Sequence, residues 1–118
     1  MTYNWTTIHV SDLDKSIAFY NGLLGLPIAQ RFGPPGPEIA MMGEADVPKI
    51  ELLCGGEAPA NAGAGVSMGF TPDNMAEMLE RLKKEGYEPE TFSPNPALRF
   101  YFIHDPDGYA IQLVENLQ

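Results

Sequence analysis

Phe100-Tyr101-Phe102-Ile103-His104-Asp105-Pro106-Asp107-Gly108-Tyr109-Ala110-Ile111-Gln112-Leu113-Val114-Glu115 reads as two strands and the turn between them. Proline at the second position of Asp105-Pro106-Asp107-Gly108 fixes φ, and glycine at the fourth accepts a left-handed backbone. With Asp105 and Tyr109 closing the loop, Phe102 stands opposite Gln112.

Working back from this hairpin, the order of elements repeats. Residues 3–10 alternate as a strand. Ser11-Asp12-Leu13-Asp14 has the pattern of a capping box, with Ser11 as the N-cap. Leu13, Ile17, Tyr20 and Leu24 recur at helical spacing until Gly25 and Pro27 stop the helix. Strands are predicted at 28–33, 38–43 and 48–54, broken by Gly33-Pro34-Pro35-Gly36-Pro37 and Gly43-Glu44-Ala45-Asp46. Residues 55–64 are small and lack periodicity, and read as a linker. A strand at 65–70 follows. Thr71 is then the predicted N-cap, with Pro72 at the first helical position. Met75, Met78, Leu79 and Leu82 form the apolar stripe of this helix, and Gly86 ends it. Strands at 88–92, 98–104 and 109–115 complete the second half. Strand, helix and three strands therefore occur twice, a structural repeat without obvious sequence identity.

The chain has 118 residues, the size of one domain, and 44% of them are hydrophobic, enough for a core. No apolar run approaches the ~18 residues needed to span a membrane. The segment Met1-Thr2-Tyr3-Asn4-Trp5 lacks the basic flank and apolar centre of a signal peptide, so a cytoplasmic soluble protein is expected. A formal net charge of -9 disfavours nucleic acid and anionic membranes as partners. The same charge permits attraction of a cationic ligand, and reads first as ordinary acidic solubility. The single cysteine, Cys54, excludes an internal disulfide framework and a cysteine-based zinc site, and its place on an apolar strand reads as a buried thiol.

Val10-Ser11-Asp12-Leu13-Asp14-Lys15-Ser16-Ile17-Ala18-Phe19-Tyr20 with Leu24-Gly25-Leu26, and Phe102-Ile103-His104-Asp105-Pro106-Asp107-Gly108, strongly resemble the vicinal oxygen chelate superfamily, the glyoxalase/bleomycin-resistance/dioxygenase group. The resemblance covers essentially the whole chain. It implies an α+β fold: one glyoxalase-like domain over 1–118, with βαβββ modules at 1–56 and 65–118 and a linker at 57–64. Each module would be a curved mixed sheet carrying one helix, and the two open faces would form a concave cleft.

In members of that group similar to glyoxalase I, four strand positions supply metal ligands. Carried onto this chain they fall at Trp5, Glu51, Ser67 and Gln112. Only Glu51 is a standard ligand type. Gln112 stands where Glu is usual, although Gln ligates metal in some relatives, and Ser67 stands where His is usual. Trp5 offers a donor and no acceptor. Such a set suits nickel, zinc, manganese or iron poorly, so the metal positions read as degenerate and no cofactor is expected. His9 is four strand residues beyond Trp5, ~13 Å away, too far to substitute for it. The resemblance gives His9 a different place, where an Arg tends to bind the glutathione carboxylate.

Strand parity sets the remaining cleft face as Trp5, Thr7, His9, Lys49, Glu51, Leu53, Ser67, Gly69, Phe100, Phe102 and Gln112, an apolar surface with a few polar handles. Phe32, Met41 and Met42 are expected to form a flexible wall beside it. His104 at the hairpin end is expected at the surface, and Glu115 should face away from the cleft.

Two functional classes follow. One is a metal-free module that binds a small molecule in this aromatic cleft, similar to the bleomycin-resistance proteins. The alternative is a lactoylglutathione lyase-like enzyme, or a related lyase or isomerase, with Glu51 as catalytic base, with or without a divalent metal. An extradiol dioxygenase would need two histidines where Trp5 and Ser67 stand. The resemblance also implies a homodimer.

Overall fold

The computed structural model describes residues 1–55 and 62–118. Residues 57–61 of the expected linker therefore lie outside the described residues. The chain divides into two compact units, Met1–Ala62 and Gly63–Gln118. Among the described residues no helix is long and apolar enough to cross a membrane.

The first unit runs β1 (Trp5–His9), α1 (Leu13–Ile17) with a π-helical continuation (Ala18–Leu23), β2 (Ile28–Phe32), β3 (Glu38–Met42) and β4 (Lys49–Cys54). Its sheet has the order β1-β4-β3-β2, with β1 parallel to β4 and the other pairs antiparallel. The N-cap is Asp12 rather than Ser11: the Asp12 carboxylate accepts from the Lys15 amide at 3.1 Å. A carboxylate at that position also complements the helix dipole, which a hydroxyl does not. The widened π segment shifts the phase of the apolar stripe. Leu13, Phe19, Tyr20 and Leu23 are the buried apolar positions, and Ile17 and Leu24 are only half-buried. These side chains cover Ile8, Ala40, Met42, Ile50 and Leu52 on one face of the sheet. Phe19 and Tyr20 meet edge to face at 5.0 Å.

Ser16 lies in the same core, fully buried, and among the described residues its Oγ has no hydrogen-bond partner. A buried hydroxyl left unpaired costs about 1–3 kcal/mol. Ser16→Ala is therefore expected to raise stability by roughly 1 kcal/mol, read as a higher urea midpoint at unchanged slope.

The second unit repeats the plan with β5 (Ser67–Phe70), α2 (Met75–Lys84), β6 (Glu90–Asn95), β7 (Leu98–His104) and β8 (Ala110–Asn116). Its sheet order is β5-β8-β7-β6, again with the first pair parallel and the others antiparallel. The fold class is thus α+β, with two four-stranded mixed sheets.

The second cap also moves. Asn74 caps α2 by accepting from the Glu77 amide at 3.1 Å, leaving Thr71 and Pro72 outside the helix. At the other end Gly86 (φ 86°) allows Tyr87 N–H to reach Leu82 O and Gly86 N–H to reach Lys83 O, a Schellman motif. β6 runs through Ser93-Pro94, where a break was expected after residue 92. It is an edge strand with a register shift between Phe92 and Asn95, so proline removes no needed hydrogen bond. Met78, Leu82, Tyr101, Ile103, Tyr109, Ile111 and Leu113 are the buried apolar residues of this unit.

The closing turn forms as its residues require. Asp105 N–H donates to Tyr109 O, Gly108 N–H donates to Asp105 O, and Gly108 sits at φ 92°. Phe102 pairs with Gln112. His104 is exposed, and the Glu115 carboxylate accepts from Tyr101 Oη at 3.0 Å on the buried side of the sheet.

Candidate functional site

Each sheet has one face covered by its helix and one open face, and strand pairing decides which side chains share the open face. In the first unit Trp5 pairs with Lys49, Thr7 with Glu51 and His9 with Leu53. β3 extends those rows, because Met41 pairs with Glu51 and Ile39 with Leu53. All five site residues expected from this half, Trp5, Thr7, His9, Glu51 and Leu53, therefore lie on one surface. Met42 does not. It pairs with Ile50 and is 1% exposed, in the core under the helix. Two adjacent strand residues cannot both face the same side, so of Met41 and Met42 only Met41 belongs to the wall. Phe32 is 51% exposed and pairs with Ile39, on the Leu53 row.

The chemistry of this surface centres on Glu51. Thr7 Oγ1 donates to Glu51 Oε1 at 2.6 Å, a short charge-assisted hydrogen bond. Parallel pairing puts these two residues side by side, and the bond fixes the carboxylate through one oxygen. Glu51 is half-buried, and among the described residues Oε2 receives no hydrogen bond and Glu51 forms no ion pair. Lys49 is on the same face two residues away, but its ammonium donates to Ala45 O at 3.1 Å and Val47 O at 2.6 Å. It straps the β3–β4 loop instead of pairing with Glu51.

Beside this row lies a groove of about 900 Å³, lined in part by Tyr3, Asn4, Trp5, Gln30, Met41 and Lys49. Trp5 is 48% exposed, so the indole stands in the wall and does not fill the space as core. Tyr3, Asn4 and Gln30 were not among the expected site residues. A register shift between Ile28 and Gln30 disturbs parity in β2, and residues 3 and 4 precede β1, so strand alternation does not reach them.

In the second unit Ser67, Gly69, Phe100, Phe102 and Gln112 share the open face of their own sheet: Gly69 pairs with Gln112, and Gln112 with Phe102. Phe100 meets Phe102 edge to face at 6.3 Å and Phe92 at 6.5 Å. Phe92 is 56% exposed and extends this aromatic surface onto β6. Parity missed it because the ring is seen only once the pairing of β6 with β7 is known. A Cβ on Gly69 would meet only Val114 Cγ2, at 3.9 Å, so the strip beside Gln112 is open.

Neither surface offers a conventional metal cage. Among the described residues no group of three or more His, Cys, Asp or Glu is placed to hold an ion. Of the four positions that the resemblance points to, Glu51 supplies a carboxylate with one oxygen committed to Thr7, and Trp5 supplies no acceptor. In the second unit Ser67 and Gln112 supply a hydroxyl and an amide, neither an imidazole nor a carboxylate.

A family model described as the Glyoxalase/Bleomycin resistance protein/Dioxygenase superfamily matches residues 2–113. A lactoylglutathione lyase of Salmonella typhimurium is 32% identical over 121 residues, covering 93% of this chain and 89% of that protein. The solved structure of the trypanothione-dependent glyoxalase I of Leishmania major superposes with a TM-score of 0.78 at 23% identity, over 98% of this chain and 86% of that one. TnmS3, an antibiotic-binding protein of Streptomyces sp. CB03234, superposes with a TM-score of 0.72 at 17% identity, over 98% and 96%. At these identities the two structures speak to the fold alone.

Proposed function

The chain belongs to the glyoxalase/bleomycin resistance protein/dioxygenase superfamily, and from that premise we propose that it is a binding module that holds a small molecule without a divalent metal. The observation that carries this reading is the pairing of Thr7 with Glu51 at 2.6 Å beside a half-exposed Trp5. It leaves a carboxylate oriented for hydrogen bonding and an aromatic wall next to it. Apolar walls with few, well-placed polar groups are the usual make-up of small-molecule sites. The groove beside Trp5 supplies such a wall within the first unit.

A second reading is favoured by the curated relatives named lactoylglutathione lyase. In it Glu51 is the base of a lyase or isomerase, using Oε2 to take a proton while Thr7 holds Oε1. In both readings the protein is a cytoplasmic homodimer that contacts neither nucleic acid nor membrane. The net charge of -9 supports the last point. Exposed Ile28 and Phe32 on β2 and Phe92 on β6 support a partner copy.

One experiment separates the readings. The metal-stripped protein is melted alone and with nickel, zinc, manganese or iron(II), and lactoylglutathione formation is assayed in parallel. The binding module is expected to show no metal-induced rise in midpoint and no turnover. A ligand at a hundred times its Kd would stabilise by about 2.7 kcal/mol, so a real metal site would be plain. Stoichiometric metal with a raised midpoint, or turnover abolished by Glu51→Gln, would overturn it in favour of the enzyme.

A further inference from the structure

Resting on the binding reading above, we propose that the Glu51 surface selects a planar aromatic ligand bearing a cationic N–H group, such as an amidinium or a protonated aminoheterocycle. Glu51 is half-buried, its Oε1 is satisfied by the Thr7 hydroxyl, and among the described residues no cation pairs with it. A solvent-accessible carboxylate oxygen that takes no hydrogen bond from the described residues is free to accept from a charged donor on a ligand. Lys49 is the cation nearest along the strand, and its ammonium is turned into the β3–β4 loop, onto the Ala45 and Val47 carbonyls. Asp46 lines the same groove as Lys49, so the groove wall carries one carboxylate as well as one ammonium.

The aromatic part of the ligand follows from the spacing. Trp5 stands two residues from Thr7 on the same face of β1, roughly 6.6 Å along the strand. That is about the reach of one six-membered ring with an amidine on it. A ring lying from Glu51 towards the groove would rest on the half-exposed Trp5 indole, with only the accessible edge of Met41, 9% exposed and paired with Glu51, against it. Indole binds cations through its face, and the Met41 thioether contacts ring edges. Thr7 contributes by holding the carboxylate so that Oε2 alone meets the guest.

The test uses three isosteric probes and the intrinsic fluorescence of Trp5, the only tryptophan in the chain. Benzamidine, benzamide and benzoate are titrated into the wild type and Glu51→Gln. Benzamidine is expected to bind at least tenfold more tightly than benzoate, with an affinity that falls as salt is added. Glu51→Gln is expected to remove that preference, bringing benzamidine down to no better than benzamide. Equal affinities for benzamidine and benzoate, or tighter binding of benzoate, would overturn the cationic class while the binding reading stood. No Trp5 response to any of the three would also overturn the class. Failure of the binding reading itself is seen separately, in metal-induced stabilisation or turnover. The wild-type comparison of cation with anion needs no variant, so a misfolded Glu51→Gln would not remove the test.

Discussion

Leu52→Ala is expected to lower stability by about 2–5 kcal/mol, one of the two largest single-residue effects in this molecule. Leu52 is completely buried on β4, an inner strand of its sheet, and is flanked in register by Ile8 on β1 and Ala40 on β3. α1 packs on β3 and β4 from above. The truncated side chain would leave a hole walled by hydrogen-bonded strands and the helix, which cannot collapse onto it without breaking the ladder. The cost is then the lost transfer free energy plus the cavity term. Leu53, next in the sequence, gives the internal control. It is half-buried on the open face, and its truncation is expected to cost a small fraction of the Leu52 value. Urea denaturation of the two variants checks the parity of β4 directly. Equal costs would mean that the open face is as densely packed as the core, which would leave no room for a ligand beside Glu51.

That same parity explains how much of the molecule could be read from its residues. The turn at Asp105–Gly108, the repeat of strand, helix and three strands, and the open-face set Trp5, Thr7, His9, Glu51 and Leu53 all follow from rules that act over a few residues. Period-2 alternation, proline and glycine dihedrals and helix stops need no tertiary information. Where tertiary choice enters, local rules lose their grip. Local rules put both helix caps too early in the chain, at Ser11 and Thr71, because several polar residues in a row can cap and only the packing of the helix on its sheet selects Asp12 and Asn74. Local rules also put Met42 on the cleft wall, because two adjacent methionines look alike until the register with Ile50 is known. The Thr7–Glu51 bond joins residues 44 apart in sequence, and only the parallel pairing of β1 with β4 brings the hydroxyl to the carboxylate. The strap from Lys49 to the β3–β4 loop has no sequence signal at all, since a lysine at a strand start reads as solvated.

Asp105→Ala is the second large effect, an expected loss of about 2–5 kcal/mol, because the side chain does more than begin a turn. The carboxylate is buried, with the residue 5% exposed, and its Oδ1 accepts from both Asp107 N–H and Tyr109 N–H at 2.9 Å. Alanine would leave two amides inside the hairpin without their acceptor, each costing about 1–3 kcal/mol. Asp105→Asn keeps a carbonyl oxygen in the same place and is expected to retain most of the stability, so the pair of variants separates the acceptor from the charge. The charge has a second effect: burial first, then the carboxylates of Glu85 and Asp105, hold the Tyr87 phenol above its ordinary pKa. Removing Asp105 is expected to bring the Tyr87 titration down towards that ordinary value, and Asp105→Asn should do the same while sparing the fold. The hairpin also supports its neighbours. A Cβ on Gly63 would come within 2.8 Å of Gly108 O, so the backbone entering this unit lies directly against the turn that Asp105 holds. Faster hydrogen exchange at the Asp107 and Tyr109 amides in Asp105→Ala, with protection kept in Asp105→Asn, is the expected signature. Equal protection in the two variants would show that the backbone bonds at Asp105 and Gly108 alone hold the turn, and that the buried carboxylate is there for another reason.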